Sequence, residues 1–353
     1  MIRMVTEKSH VIGQGTYGCA LRPKAPCKKS KIRRTVKKVG KIVRANNSQI
    51  ELRIGTLIKG IQGWDKYYVV QEEDDCDADN MKKIRVDYGS DCKLFAKAPT
   101  DKLTQIVSDY GGKPLSASHP MSGFDYMDSF KHLLEAISLL QGQGICHHDL
   151  KDNNIVVDEN GLLRIIDFGA AFLGDSIHVD GQRSLGTKMH IFDFYPDYNT
   201  FSPDYTVLCG LKKVFDNKGQ QEFHRSLREQ CNATVEEKDI FSYMETLLGM
   251  HRSICKRELL DFWNYSFNDW EHRDDLHENK WENFFHTYWR SWDTWAVGVI
   301  YLKLLKNLFL NQTFITNTWN PHGAVIKKVL HGLLEVDPRR RLSAKAALRI
   351  LAV

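Results

Sequence analysis

A chain of 353 residues holds about two ordinary domains or one large two-lobed one, which excludes a peptide or a minimal module. With 42% hydrophobic and 26% charged residues it can bury a sizeable core, unlike a disordered or collagen-like chain. The net charge of +5 is a mild excess spread along the whole length, which argues against a dedicated nucleic-acid binder.

Eight cysteines, at 19, 27, 76, 92, 146, 209, 231 and 255, form no C-x-x-C pair that would seed a zinc site or a redox motif, so a reducing, intracellular setting is expected. The N-terminus reaches charge too soon for a secretory segment, and no stretch approaches roughly 18 uninterrupted apolar residues. A protein neither secreted nor membrane-spanning is expected.

In chain order the first motif is Ile12-Gly13-Gln14-Gly15-Thr16-Tyr17-Gly18-Cys19-Ala20, a G-x-G-x-x-G whose glycines let backbone amides approach phosphate oxygens. A dinucleotide fold would start a helix at the third glycine, which Pro23 and Pro26 oppose, so a strand-turn-strand flap is predicted. Val36 to Val43 and Tyr67 to Val70 read as strands, while Ile50, Ile54, Leu57 and Ile58 recur at helical spacing. Ser48 followed by Glu51 has the form of a capping box at the start of that helix. From Arg22 to Arg44 eleven residues are basic and none acidic, and from Glu72 to Asp79 six of eight are acidic. Solvated loops and strand faces account for most such runs, and neither is assigned a function.

After residue 115 the pattern turns helical. Phe130, Leu133, Leu134, Ile137 and Leu140 mark one apolar stripe, stopped by Gly142 and Gly144. Thr234 with Glu237 is read as the cap of a second helix carrying Ile240, Met244, Leu247 and Leu248. Trp292 to Leu310 is apolar enough for a buried central helix. These elements predict an α+β chain with a small strand-rich lobe over about 1–110 and a larger, mostly helical lobe over 111–353.

The most informative segment is Cys146-His147-His148-Asp149-Leu150-Lys151-Asp152-Asn153-Asn154, followed by Ile155-Val156-Val157, a turn at Glu159-Asn160-Gly161, and Ile165-Ile166-Asp167-Phe168-Gly169. Two short strands joined by that turn would bring Asp149, Lys151, Asn154 and Asp167 together.

Through these residues the chain resembles the eukaryotic-type protein kinases, whose catalytic loop and Asp-Phe-Gly carry this spacing. The resemblance implies the bilobal kinase fold and an ATP- and Mg²⁺-dependent phosphoryl transfer to a protein substrate, with neither nucleic acid nor membrane as partner. It casts Asp149 as the group that accepts or orients the substrate hydroxyl proton and Lys151 as the one that steadies the transferred phosphoryl group. Asn154 and Asp167 would hold Mg²⁺. Lysine at 151 is similar to the serine/threonine-specific branch. Ile12, Gly13, Gln14, Gly15, Gly18 and Ala20 would line the nucleotide. Asp293-Thr294-Trp295 resembles the start of the family's central helix, and Asp337-Pro338-Arg339-Arg340-Arg341 its late helical stretch. There Arg341 would pair with an acid closing the activation segment, and Asp204 of Ser202-Pro203-Asp204 is the candidate.

Lys37 and Lys41 are both candidates for the strand lysine that meets the α- and β-phosphates, and Lys41 is preferred. Its Val-x-Lys-Ile setting resembles kinases of large nucleocytoplasmic DNA viruses, which also share a Gly-Cys-x-x-x-Pro after the glycine loop and a Tyr-Gly-Gly like Tyr110-Gly111-Gly112. That likeness implies a host cytoplasm or virion location. Glu51 either pairs with the lysine or caps its helix.

Two departures from the family pattern stand out. His148 replaces the arginine that commonly gathers an activation-loop phosphate, so activity without loop phosphorylation is expected. An insert over about 205–290, rich in aromatic residues including Trp263, Trp270, Trp281 and Trp289, carries too much apolar surface for a flexible linker. The rival functions are a pseudokinase scaffold and a small-molecule phosphotransferase on a related fold.

Overall fold

The computed structural model describes residues 8–15, 18–117, 124–174, 193–218, 220–271 and 277–352, with side chains omitted at 215–225 and 267–282. The chain forms two compact units. One comprises the described residues up to Lys113 together with Val156–Ala171, and the other Pro114–Ile155 with Phe172 onward.

The first unit is built on an antiparallel sheet of five strands, β1 (His10–Gln14), β2 (Gly18–Arg22), β3 (Lys38–Arg44), β4 (Glu72–Glu73) and β5 (Leu103–Asp109), in the order β1-β2-β3-β5-β4. The strand predicted from Val36 begins at Lys38, and Tyr67 to Val70 contributes only an isolated bridge between Tyr68 and Ile165. β3 passes directly into α1 (Ala45–Lys59), which buries Ile50, Ile54 and Ile58. The helix therefore starts three residues before Ser48. The Ser48 hydroxyl donates back to the Ala45 carbonyl at 2.7 Å, so the expected capping box does not form. Two further helices, α2 (Ala78–Tyr88) and α3 (Leu94–Lys97), set Met81, Ile84 and Phe95 against Leu21 and Ile42 of the sheet.

The two charge runs are partners. Lys24 and Asp74 form a fully buried ion pair at 2.9 Å, and Gln105 donates to the same carboxylate at 2.7 Å. Two disulfides, Cys19–Cys92 and Cys27–Cys76, lie in the same region. Cysteine spacing did not disclose them because they close separations of 73 and 49 residues. Cysteines 146, 209, 231 and 255 are free and buried.

Short strands β6 (Lys113–Pro114), β8 (Ile155–Val157) and β9 (Leu163–Ile165) form a three-stranded sheet in the order β6-β8-β9. Gly112 sits at φ +128°, and a Cβ there would stand 2.0 Å from the Val157 carbonyl oxygen, so both the backbone conformation and the close approach require glycine.

In the second unit, β7 (Ile145–Cys146) pairs with β10 (Phe172–Leu173), and helices supply the bulk. α4 (Tyr126–Gly142) carries the predicted stripe and is capped by Asp125, whose carboxylate accepts from the Asp128 amide. The insert is helical: α5 (Pro203–Lys218), α6 (Gln220–Glu237), α7 (Ile240–Tyr243), α8 (Arg252–Glu271) and α9 (His277–Tyr288). Thr234 lies inside α6 and does not cap a new helix. Trp263 stacks on Phe284 with centroids 4.9 Å apart, and Phe285 meets Trp292 edge-on at 5.0 Å. The aromatic residues thus form a core, as a folded insert requires, while Trp270 and Trp281 fall outside the described side chains.

α10 (Trp292–Leu308) is the predicted buried helix, ending two residues early. The Phe130 ring of α4 stacks on its Tyr301 at 4.2 Å. α11 (Gln312–Phe314), α12 (Asn320–Leu333) and α13 (Ala344–Leu351) complete the unit. Among the described residues no helix is long and apolar enough to cross a membrane.

Candidate functional site

In the first unit the glycine motif forms the β1-β2 hairpin, with Thr16 and Tyr17 outside the described residues. The three glycines serve different purposes. A Cβ on Gly18 would lie 2.2 Å from the Ile42 carbonyl oxygen, so neighbouring β3 demands that glycine. Gly15 has open space beside it and Gly13 has only Ala20 at 4.0 Å, so here the small residue leaves room for a ligand. Ile12 is exposed, and Ala20 stands opposite Lys41 in the β2-β3 register. Gln14 is engaged away from the turn, its Oε1 accepting from the Lys93 amide at 3.2 Å.

Lys41 lies on β3, whereas Lys37 is exposed in the turn before it. The Lys41 ammonium donates to Glu51 Oε1 at 2.5 Å and to Asp167 Oδ1 at 2.8 Å. Burial opposes its charge, but the two carboxylates overcome that cost and hold its pKa above the usual lysine range. Burial pushes the Glu51 carboxyl up to about 7, Lys41 opposing and Asp167 adding to the rise. Gly169 makes room for this acid, since a Cβ there would stand 2.9 Å from Glu51 Oε1. Asp167 sits at φ 64°, and Phe168 behind it is buried edge-on against Tyr68.

In the second unit the loop after β7 is held by Asp293 in the first turn of α10, whose carboxylate accepts from the His147 amide at 2.7 Å and the His148 amide at 3.0 Å. His148 has φ 68°. It and Asp167 are the non-glycine residues with positive φ among those described, and such strain is characteristic of functional loops.

The Asp149 carboxylate receives Lys151 at 3.0 and 2.8 Å on its two oxygens, Asn154 Nδ2 at 3.0 Å and the Tyr198 hydroxyl at 2.6 Å. Burial works against the charge of Lys151, and Asp149 more than compensates, raising its pKa. Asn154 also donates to the Asp149 carbonyl at 2.8 Å, which turns its amide nitrogen inward; its Oδ1 accepts no hydrogen bond among the described residues. That oxygen is a hard donor of the kind Mg²⁺ prefers, as, within the first unit, is the Asp167 carboxylate.

His148 occupies an aromatic box. Its ring stacks on Phe201 with centroids 5.0 Å apart, and its Nε2 meets the Tyr205 hydroxyl at 3.1 Å. Burial pushes its pKa down to about 4, the Asp149 charge opposing, so it is neutral at pH 7.

Sequence reasoning missed two residues. Tyr198 belongs to no motif, and nothing in its neighbourhood signals a contact with Asp149. Lys238, fully buried at the end of the insert's α6, donates to the Tyr198 carbonyl at 2.5 Å, and burial pushes its pKa down to about 7. By contrast Asp204 meets Arg341, as the resemblance implied. Arg341 donates to its Oδ1 at 2.7 Å, with both side chains fully buried.

Residues 6–188 match the family profile described as "Protein kinase domain". The chain is 44% identical over 101 residues to CBL-interacting serine/threonine-protein kinase 15 of Arabidopsis thaliana, covering 28% of this chain and 20% of that one. It is 35% identical over 118 residues to the serine/threonine-protein kinase ppk34 of Schizosaccharomyces pombe, covering 30% and 31%. A probable serine/threonine-protein kinase, the MRK1 homolog of Encephalitozoon cuniculi, is 30% identical over 97 residues, covering 25% and 30%. The matches thus span between a fifth and a third of the length of these relatives.

Proposed function

The chain belongs to the protein kinase domain family, and on that premise we propose that it is a serine/threonine protein kinase transferring the γ-phosphoryl group of ATP to protein hydroxyls. The observation that carries this reading is the Asp149 carboxylate held by Lys151 and Asn154. The Lys41 ammonium between Glu51 and Asp167 supplies its nucleotide side. The kinase names of the matched relatives point the same way.

Phosphoryl transfer needs little covalent help, so positioning and charge carry it. Asp149 accepts the acceptor hydroxyl's proton and aims its oxygen. Lys151, kept protonated by Asp149, steadies the transferring group. Lys41 meets the α- and β-phosphates, and Glu51 keeps it oriented. The hairpin carrying Ile12, Gly13, Gln14, Gly15, Gly18 and Ala20 covers the nucleotide. Asn154 and Asp167 would hold Mg²⁺, which when bound neutralises phosphate charge. Replacing Asp167 with asparagine should therefore abolish metal-dependent nucleotide binding, read by calorimetry with and without Mg²⁺. Binding that keeps its metal dependence would remove Asp167 from the metal role.

The neutral, enclosed His148 makes a poor receptor for a phosphate, which supports activity without activation-loop phosphorylation. The loop itself, 175–192, lies outside the described residues. Phosphatase treatment of the purified protein should leave turnover nearly unchanged. A large loss that follows removal of loop phosphate would reject this.

The likeness to kinases of large DNA viruses extends the proposal to a viral, intracellular enzyme of the host cytoplasm or the virion. Of these the virion better preserves Cys19–Cys92 and Cys27–Cys76. The whole reading is tested with Mg-ATP, a generic basic protein and small alcohol and amine acceptors side by side. Phosphate on serine or threonine of the protein is the expected result. Nucleotide binding without transfer to any protein would favour a scaffold, and transfer to small acceptors alone a small-molecule phosphotransferase.

A further inference from the structure

A carboxylate offers roughly four lone-pair positions. At Asp149 all are taken: Lys151 reaches both oxygens, Asn154 holds Oδ2, and the Tyr198 hydroxyl donates to Oδ1 at 2.6 Å. An acceptor serine or threonine that gives its proton to Asp149 must displace one of these donors. Lys151 carries a charge that the carboxylate stabilises, and Asn154 is fixed by a second bond to the Asp149 carbonyl. Tyr198, neutral like Asn154 but held on Asp149 by its hydroxyl alone, offers the same group as the substrate, an O–H.

Tyr198 is held there by the insert and by α10. Lys238 donates to its carbonyl, the Ile240 amide donates to Asn199 Oδ1 at 2.9 Å, and Trp295 Nε1 donates to the Asn199 carbonyl at 3.0 Å. Burial and the Asp149 charge push the phenol up to about 12, so it stays a hydroxyl donor throughout the physiological range. The insert thus fixes a backbone segment whose side chain rests on the proposed base.

From this we infer that Tyr198 is an acceptor-side gate: its hydroxyl occupies the position of the substrate hydroxyl on Asp149, and a peptide must displace it to be phosphorylated. The inference rests on the reading of Asp149 as the acceptor's base. An internal competitor reduces the fraction of enzyme ready for the acceptor, which raises the apparent acceptor KM and leaves kcat alone.

The test is Tyr198→Phe, assayed on the full chain with a basic protein acceptor at saturating Mg-ATP. Losing one hydroxyl-to-carboxylate bond, partly replaced by water, should lower the acceptor KM roughly 3- to 10-fold, with kcat within about twofold. Asn199→Ala, which removes the partner of the Ile240 amide, should lower KM in the same direction by less. An unchanged KM, or a kcat that falls tenfold or more, would overturn the gate; in the latter case Tyr198 positions Asp149. Phosphate found on Tyr198 by mass spectrometry after incubation with ATP would also overturn it, by making that hydroxyl an acceptor. Asp149→Asn assayed alongside separates the two readings. If it keeps its turnover the base assignment fails whatever Tyr198→Phe does, and if it is inactive the Tyr198→Phe result judges the gate alone.

Discussion

Asp149→Asn should lower turnover on a protein acceptor by roughly 10² to 10⁴, the usual contribution of a positioned general base. The substitution preserves size and removes the charge that attracts the acceptor proton. It also removes the anion that keeps the Lys151 ammonium in place at 2.8 Å. Nucleotide affinity should change little, because Lys41, assigned to the phosphates, and Asp167, assigned to the metal, make their ion pair within the other unit. Steady-state turnover beside calorimetric titration of Mg-ATP separates the two quantities. Near wild-type turnover would remove Asp149 from the mechanism. Weakened nucleotide binding together with lost turnover would point to a structural role for the carboxylate.

The loop after β7 was legible because the chemistry proposed for it fixes residue types at short range. Asp149, Lys151 and Asn154 lie within six positions, and the hydrogen bonds between them are local. Lys41 and Glu51 were ambiguous for a physical reason. Ser48 and Glu51 have the letters of a capping box, and only the unbroken passage from β3 into α1 shows that the helix has already begun at Ala45. The same passage leaves Lys37 in a turn.

Features closed over long separations were invisible to spacing. The basic and acidic runs read as two solvated patches, yet Lys24 and Asp74, fifty positions apart, make a buried pair. A lysine is buried only when paired, so its burial shows more than its presence in a run. Cys27–Cys76 joins the same two stretches. Tyr198 left no trace because its role comes from the insert that places it.

The second large effect concerns stability. Arg341→Met should destabilise the protein by about 3–5 kcal/mol, the cost of leaving a buried charge without its partner. Arg341 and Asp204 are both fully buried and meet at 2.7 Å. Arg341 further donates to the Glu335 carbonyl at 2.8 Å and the Ser291 hydroxyl at 3.0 Å, and Asp204 accepts from Trp292 Nε1 at 3.0 Å. Aspartate is a short acid, yet the guanidinium reaches it. Urea unfolding followed by tryptophan fluorescence reports this unit well, since seven of the eight tryptophans lie beyond residue 260. Asp204→Asn alone should destabilise by a comparable amount, because Arg341 then loses its counter-charge. The double variant should cost clearly less than the two single losses added, the signature of a coupled pair. Additive losses, or a single loss below about 1 kcal/mol, would mean that Asp204 is not the partner of Arg341 in solution. Because Asp204 opens α5 six residues after Tyr198, the same substitution should loosen the segment that sets the hydroxyl on Asp149. Arg341→Met would then lower the acceptor KM at temperatures where the protein remains folded.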